Sequence, residues 1–353
     1  MNDSLVGEKT IALSIAQEIL STSVEIPAIP ENIRQIFVMV RQPEEKIDIP
    51  EFAKLVEGDP GLFTRILQLA NSRYYSEMER IVTLRAAITR IGLKETVNSV
   101  CLQFFRKLLP QFPDIDGLSY NDFWAHSWAC AVANRRLGHP MLGMDMLPGD
   151  LYMAGMLHGL GKLLMAIHFP EKFAACVAKA RQFECPLHEV ERDMFGTTDG
   201  LVAARVLKTW QLPANICEGV GYWQMPAQAQ PEYIVIAGMT QYAYAIAGHS
   251  GVGASGDGYT LDLSETFLGQ KTALSLSKES TQAKLKEEIF AALEDKSAAL
   301  NPEGKQAKKA YDVAGSSRPA RKTAPSATLK KQVKQPQKSK GMFGWIRSLF
   351  RGN

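Results

Sequence analysis

The chain predicts an all-α protein, and three observations carry that prediction. Apolar residues recur at spacings of three and four in segment after segment, as in Ile33, Ile36, Phe37 and Val40, which places them on one helix face. Capping signals open several segments: Asp59-Pro60 supplies an N-cap carboxylate and a proline for the first helical position, and Ser119 precedes the run to Leu137. Breakers close them, among them Ser21-Thr22-Ser23 and Gly92.

Taken in order, Lys9 to Leu20 carries Ile11, Ile15, Ile19 and Leu20 at helical spacing and forms a leading helix, assigned to residues 1–23. Ile26-Pro27-Ala28-Ile29-Pro30 is an extended lead-in to a helix started by Pro30 and Glu31. A short helix covers Asp48 to Glu57, and another runs from Asp59-Pro60 through Leu62, Ile66, Leu67 and Leu69 to Asn71-Ser72. Asn71 reads as a helix-end side chain satisfying nearby backbone. Helices over Thr83–Ile91 and Lys94–Leu109 complete a first lobe, residues 24–112, and Pro110 to Gly117 is a loop between two lobes.

The second lobe, residues 113–270, opens at Ser119 and passes through Phe123, Trp124, His126 and Trp128. Two short buried helices joined by a glycine turn follow within Leu151–Ile167. Further helices cover Lys172–Phe183, Leu187–Phe195 and Leu201–Trp210, and a long apolar one covers Tyr233–Ala247. Gly248 to Gly258 reads as a flexible loop, and Leu276 to Leu293, within residues 271–300, as a solvent-facing helix. Residues 301–340 lack the large apolar side chains needed to offset chain entropy and are expected to be a disordered basic linker. Residues 341–353 can form an amphipathic helix with Phe343, Trp345, Ile346, Leu349 and Phe350 on its apolar side and Arg347 and Arg351 interleaved.

The net charge of +3 conceals two opposed regions. Residues 1–300 hold 27 Lys/Arg against 35 Asp/Glu, a balance of −8, whereas residues 301–353 hold 13 against two, a balance of +11. Parts of such opposite sign are expected to meet different partners. Cys101, Cys130, Cys176, Cys185 and Cys217 are widely scattered, without a C-x-x-C pair, and read as reduced core or surface thiols. No apolar run reaches the roughly 18 residues of a membrane-spanning helix and Met1 to Glu8 has no signal-peptide pattern, so a cytoplasmic body is expected.

The chemistry centres on Gly155-Met156-Leu157-His158-Gly159-Leu160-Gly161-Lys162. Histidine followed by aspartate at such a turn would direct an imidazole and a carboxylate at one divalent ion. Position 159 is glycine, so His158 brings at most one bond from this segment. Walker, dinucleotide-binding and nucleophile-elbow motifs are absent from the chain.

Several motifs stand in order: the proline pair Pro27/Pro30, Asp59-Pro60-Gly61-Leu62 with Ala70-Asn71-Ser72, Ala87-Ile88-Thr89-Arg90-Ile91-Gly92-Leu93, the central turn, and Trp210-Gln211-Leu212-Pro213. From Val24 to Gly248 the chain thereby resembles the HD superfamily of helical metal-dependent phosphohydrolases, and specifically its HD-related output domain branch, HDOD, a mostly bacterial signalling module. The resemblance implies that His126 and His158 occupy metal-histidine positions and that Lys162 stands where active relatives contact phosphate. It also implies losses: Gly159 replaces the aspartate, Asp199 stands for a histidine, and Tyr222-Trp223 stand for two more. No carboxylate lies between Glu232 and Asp257.

Two readings of the remnant stay open. His126 and His158 are a hydrogen-bonded pair of core histidines, Lys162 a surface or packing lysine, and Tyr222 and Trp223 fillers of the former cavity. Alternatively Asp199 joins them in a three-ligand set for a transition metal. The expectation is a catalytically inactive signalling protein with no cofactor and no catalytic residue, acting by protein–protein interaction. The competing class is a metal-dependent phosphohydrolase of a nucleotide or cyclic dinucleotide. The tail is expected to dock on an anionic membrane surface, hence peripheral to its inner face, or on a protein; nucleic acid is the weaker option.

Overall fold

In the computed structural model, which describes residues 2–21, 29, 31–72, 75, 80–138, 147–271 and 275–300, helices follow one another with no strand among the described residues. The first group is α1 (Asn2–Ser21), α2 (Glu31–Arg41), α3 (Ile49–Glu57), α4 (Pro60–Ala70), α5 (Leu84–Ile91) and α6 (Leu93–Leu108). The second is α7 (Tyr120–Leu137), α8 (Pro148–Leu157), α9 (Leu160–His168), α10 (Pro170–Phe183), α11 (Leu187–Phe195), α12 (Asp199–Thr209), α13 (Ala214–Gly221), α14 (Ile234–Ser250) and α15 (Glu279–Leu300). The all-α expectation is met. The extended lead-in, apart from Ile29, and the whole of residues 301–353 lie outside the described residues, and with them the linker and the amphipathic segment.

Local chemistry explains where the helices begin. Asp48 caps α3 by accepting from Glu51 N–H at 2.9 Å, Asp59 caps α4 from Gly61 and Leu62, and Ser119 caps α7 from Asp122 at 3.1 Å. Each carboxylate or hydroxyl satisfies an N–H that the helix itself leaves open. At the other end of α4 Asn71 serves a helix carbonyl instead: its amide donates to the Leu67 and Ile81 carbonyls, and its oxygen accepts from Ile81 N–H, all at 2.8 Å.

In the first lobe Phe37 of α2 stacks on Phe105 of α6 at 5.3 Å. Phe105 also stacks on Trp210, which follows α12, at 6.4 Å. Arg41 on α2 pairs with Asp150 on α8, and Asp150 also accepts from Asn215 on α13. Aromatic packing and a buried carboxylate therefore join the lobes, and residues 1–301 form one unit.

The second lobe is built on α7, which packs most extensively against α8 and α14. Asn134 pins the three, donating to the Leu151 carbonyl at 2.8 Å and to the Thr240 hydroxyl at 3.0 Å. Close approach of α8 to α7 depends on Gly155, because a Cβ there would lie 2.6 Å from the Cys130 carbonyl oxygen.

Three expectations need correction, and one helix is added to them. The leading helix, Asn2–Ser21, lies within the residues 1–23 assigned to it, but its inner face is Ala12, Ala16 and Ile19, with Ile11 and Leu20 exposed. That face lies against α12, a long-range contact which periodicity could not specify. Helix α13 was not foreseen, since eight residues hold too few turns to display a period. The glycine-rich segment is not a free loop: Gly253 has φ +69° and lies so close to α7 that a Cβ would stand 2.2 Å from the Asp122 carbonyl oxygen. Finally α15 is not merely solvent-facing, because Leu285, Ile289 and Leu293 are buried and the helix packs on α7. No helix among the described residues is long and apolar enough to cross a membrane.

Candidate functional site

His158 caps the C-terminus of α8, and its Nδ1 faces the Gly155 carbonyl at 2.7 Å. A carbonyl can only accept, so Nδ1 carries the proton and Nε2 presents its lone pair. His126, in the second turn of α7, is likewise held by a backbone hydrogen bond to Val252. Both Nε2 atoms converge on Cys130, one turn further along α7: Sγ lies 3.5 Å from His126 Nε2 and 3.9 Å from His158 Nε2. All three side chains are buried, and their ligand atoms lie within 4.8 Å of one another.

Aromatic rings enclose the cluster. Tyr244 packs edge-on against both histidines at 5.3 and 5.7 Å, and Trp223 packs edge-on against His158 at 5.2 Å. Trp223 thus fills space beside the remnant as expected, whereas Tyr222 does not: its ring lies under Lys9 of α1 at 5.3 Å.

Burial and the nearby Lys162 charge push the His126 pKa down to about 3, against a smaller upward effect of the Val252 hydrogen bond. Burial, then the neighbouring His126, holds His158 well below the usual imidazole range. Burial pushes the Cys130 thiol up, with Lys162 acting in the opposite sense. Both imidazoles are therefore neutral at physiological pH.

Lys162, in the first turn of α9, is neither a surface lysine nor simple packing. It is 3% exposed, and its ammonium donates to the Ser255 carbonyl at 3.0 Å over the rings of Trp223 and Tyr244. A cavity of about 120 Å³ opens beside it, lined by Lys162, His188, Trp223, Gln224, Tyr244 and Asp257. His188 is pushed down to about 4 by burial and then by Arg192.

Asp199 does not join the histidines. It starts α12, its backbone N–H donates to Glu191 Oε2 at 2.9 Å, and its Oδ1 accepts from Gln224. Both carboxyls are fully buried, with Glu191 Oε1 and Asp199 Oδ2 lacking a hydrogen-bond partner. Desolvation and the adjacent Asp199 hold Glu191 well above the carboxylate range, whereas Asp199, also raised by desolvation, is pulled back by Lys162 and Gln224. We assign the proton to Glu191 and the charge to Asp199.

The donors do not fit a hard divalent ion. Magnesium and manganese favour carboxylate, carbonyl and water oxygens, and the cluster consists of two imidazoles and a thiol. At Gly159 even a Cβ would meet the Phe123 ring at 3.0 Å, so an aspartate would need that ring to move. The sequence reading missed Cys130, although its i+4 spacing from His126 on a helix was a usable signal. It also missed the glycine-rich loop, whose carbonyls at Val252 and Ser255 orient His126 and Lys162.

The sequence profile of the HDOD domain matches residues 26–226. An uncharacterized protein of Treponema pallidum (strain Nichols) is 21% identical over 231 residues, which is 64% of this chain and 42% of that protein. The chain thus spans less than half of that relative's length. Among solved structures, an HDOD domain protein of unknown function from Geobacter sulfurreducens is 21% identical with a TM-score of 0.61, covering 82% of this chain and 97% of that one. A protein from Marinobacter aquaeolei VT8, provisionally named as a signal transduction protein, is 20% identical with a TM-score of 0.64, covering 86% and 66%. At such identities these likenesses establish a common fold. Matched by the family profile over more than half of its length, and sharing this arrangement of helices, the chain belongs to the HDOD domain family.

Proposed function

We infer that this protein is a catalytically inactive HDOD module of a signalling pathway that acts by binding other proteins. One observation carries the reading: where the resemblance implies a hard-metal phosphohydrolase centre, the chain offers His126, His158 and Cys130 with glycine at 159 and Asp199 engaged elsewhere. A phosphohydrolase centre built on a hard divalent ion needs a shell rich in oxygen donors, which two imidazoles and a thiol do not supply. On this reading the protein works through its helical surface. The basic tail, with Phe343, Trp345, Ile346, Leu349, Phe350, Arg347 and Arg351 at its end, would bring that surface to an anionic membrane.

The test is turnover by the full chain on nucleotides and cyclic dinucleotides with magnesium or manganese present. No turnover is expected. Turnover that His158→Ala abolishes would overturn the reading.

A further inference from the structure

We propose that His126, Cys130 and His158 form a binding site for a borderline or soft d-block ion, with zinc the expected occupant. The new element is sulfur: Cys130 adds a thiolate donor to the two imidazoles and changes the class of ion the site suits. This inference does not rest on the inactive reading above: it is argued from the three donors alone, which leave the fourth position of a tetrahedral ion to water or a further ligand.

Geometry is the first support. Zinc bonds of about 2.3 Å to sulfur and about 2.0 Å to nitrogen, at angles between tetrahedral and trigonal, imply sulfur–nitrogen separations of roughly 3.5–3.8 Å. The separations here are 3.5 and 3.9 Å, so each sulfur–nitrogen pair already stands at or within tenths of an ångström of its spacing in a zinc site, with all three ligand atoms within 4.8 Å of one another.

Orientation is the second. Metal-bound histidines characteristically donate their other ring N–H to a carbonyl or carboxylate, which fixes ring and tautomer. His158 does so to Gly155, and His126 is held to Val252. A core pair packed only for apolar contact would not require both rings to be directed at one sulfur.

The proton balance is simple. Neutral imidazoles coordinate through lone pairs they already expose, so binding breaks one S–H bond, forms one metal–thiolate bond and two metal–nitrogen bonds, and releases one proton to solvent. The ammonium of Lys162 favours that thiolate. With a dication bound, the site carries one net positive charge, and the buried Asp199 carboxylate offsets that of Lys162.

The full chain, purified under reducing conditions and stripped with chelator, should be titrated with cobalt(II) and with zinc. Expected are about one equivalent bound, a near-ultraviolet sulfur-to-cobalt charge-transfer band, and a rise in Tm with zinc. Cys130→Ser should abolish the band and weaken zinc binding by at least about tenfold, while Cys185→Ser, at a half-exposed thiol, leaves both unchanged. Should Cys130→Ser fold poorly, His126→Gln supplies the second reading, as a shift in the visible cobalt bands. Absence of uptake, or a band that survives Cys130→Ser, overturns the site while leaving the inactive reading intact. Turnover by metal-loaded protein overturns that reading while leaving the site.

Discussion

Lys162 Nζ donates a 3.0 Å hydrogen bond to the Ser255 carbonyl, tying the first turn of α9 to a loop 93 residues later. The bond fixes the segment that also holds His126, and it places a cation over Trp223 and Tyr244. Lys162→Met keeps the aliphatic stem but leaves the carbonyl without its donor. Urea denaturation should show a loss of about 1–3 kcal/mol, with faster hydrogen exchange at Ala254, whose N–H bonds the Asp122 carbonyl. An unchanged midpoint together with unchanged exchange would show that the loop is held by other means.

Gly155→Ala tests the helix crossing that builds the cluster. The new methyl would stand 2.6 Å from the Cys130 carbonyl, which is backbone and cannot swing aside. Moving α8 off α7 strains the core by about 1–3 kcal/mol or more. The variant should lower the urea midpoint and weaken cobalt binding together. Full stability would mean that α7 and α8 tolerate a wider separation.

Glu191→Gln addresses the buried carboxyl pair through pH. The folded pKa of Glu191 is raised above the unfolded reference of 4.5, so its contribution is fully present below that value and is lost as pH rises toward the folded pKa. Glutamine mimics the protonated form and can donate to Asp199 without titrating. Above pH 4.5 the stability of the parent should therefore fall relative to the variant, by up to about 1.4 kcal/mol per pH unit. Thermal melts across that range measure it, and parallel curves would place the shared proton elsewhere.

Removal of residues 341–353 should abolish flotation of the full chain with vesicles containing anionic lipid. On the proposed docking, Arg347 and Arg351 would each contribute about 1 kcal/mol at such a surface, and the aromatic residues would add burial. High salt should weaken flotation of the intact chain. Flotation that persists after the deletion would put the attachment elsewhere.

Helix caps were legible because their chemistry spans only three residues: Asp59-Pro60 and Ser119 cap as their spacing predicts. The face of α1 was not, because Ala12 and Ala16 bury as well as isoleucine does when a neighbouring helix lies close. The loop after α14 was misread since glycine marks flexibility and close approach alike, and only the position of α7 distinguishes them.

By itself the sequence determined the helices other than α13, most of their boundaries, the charge division at residue 300 and the missing ligand at Gly159, all of which follow from local bonding or simple side-chain inventory. Only the tertiary structure decided that Cys130 stands between His126 and His158, that Asp199 pairs with Glu191, and that Lys162 turns inward. Those outcomes depend on where helices cross. Crossing is set by packing between segments far apart in the chain, which no local pattern encodes.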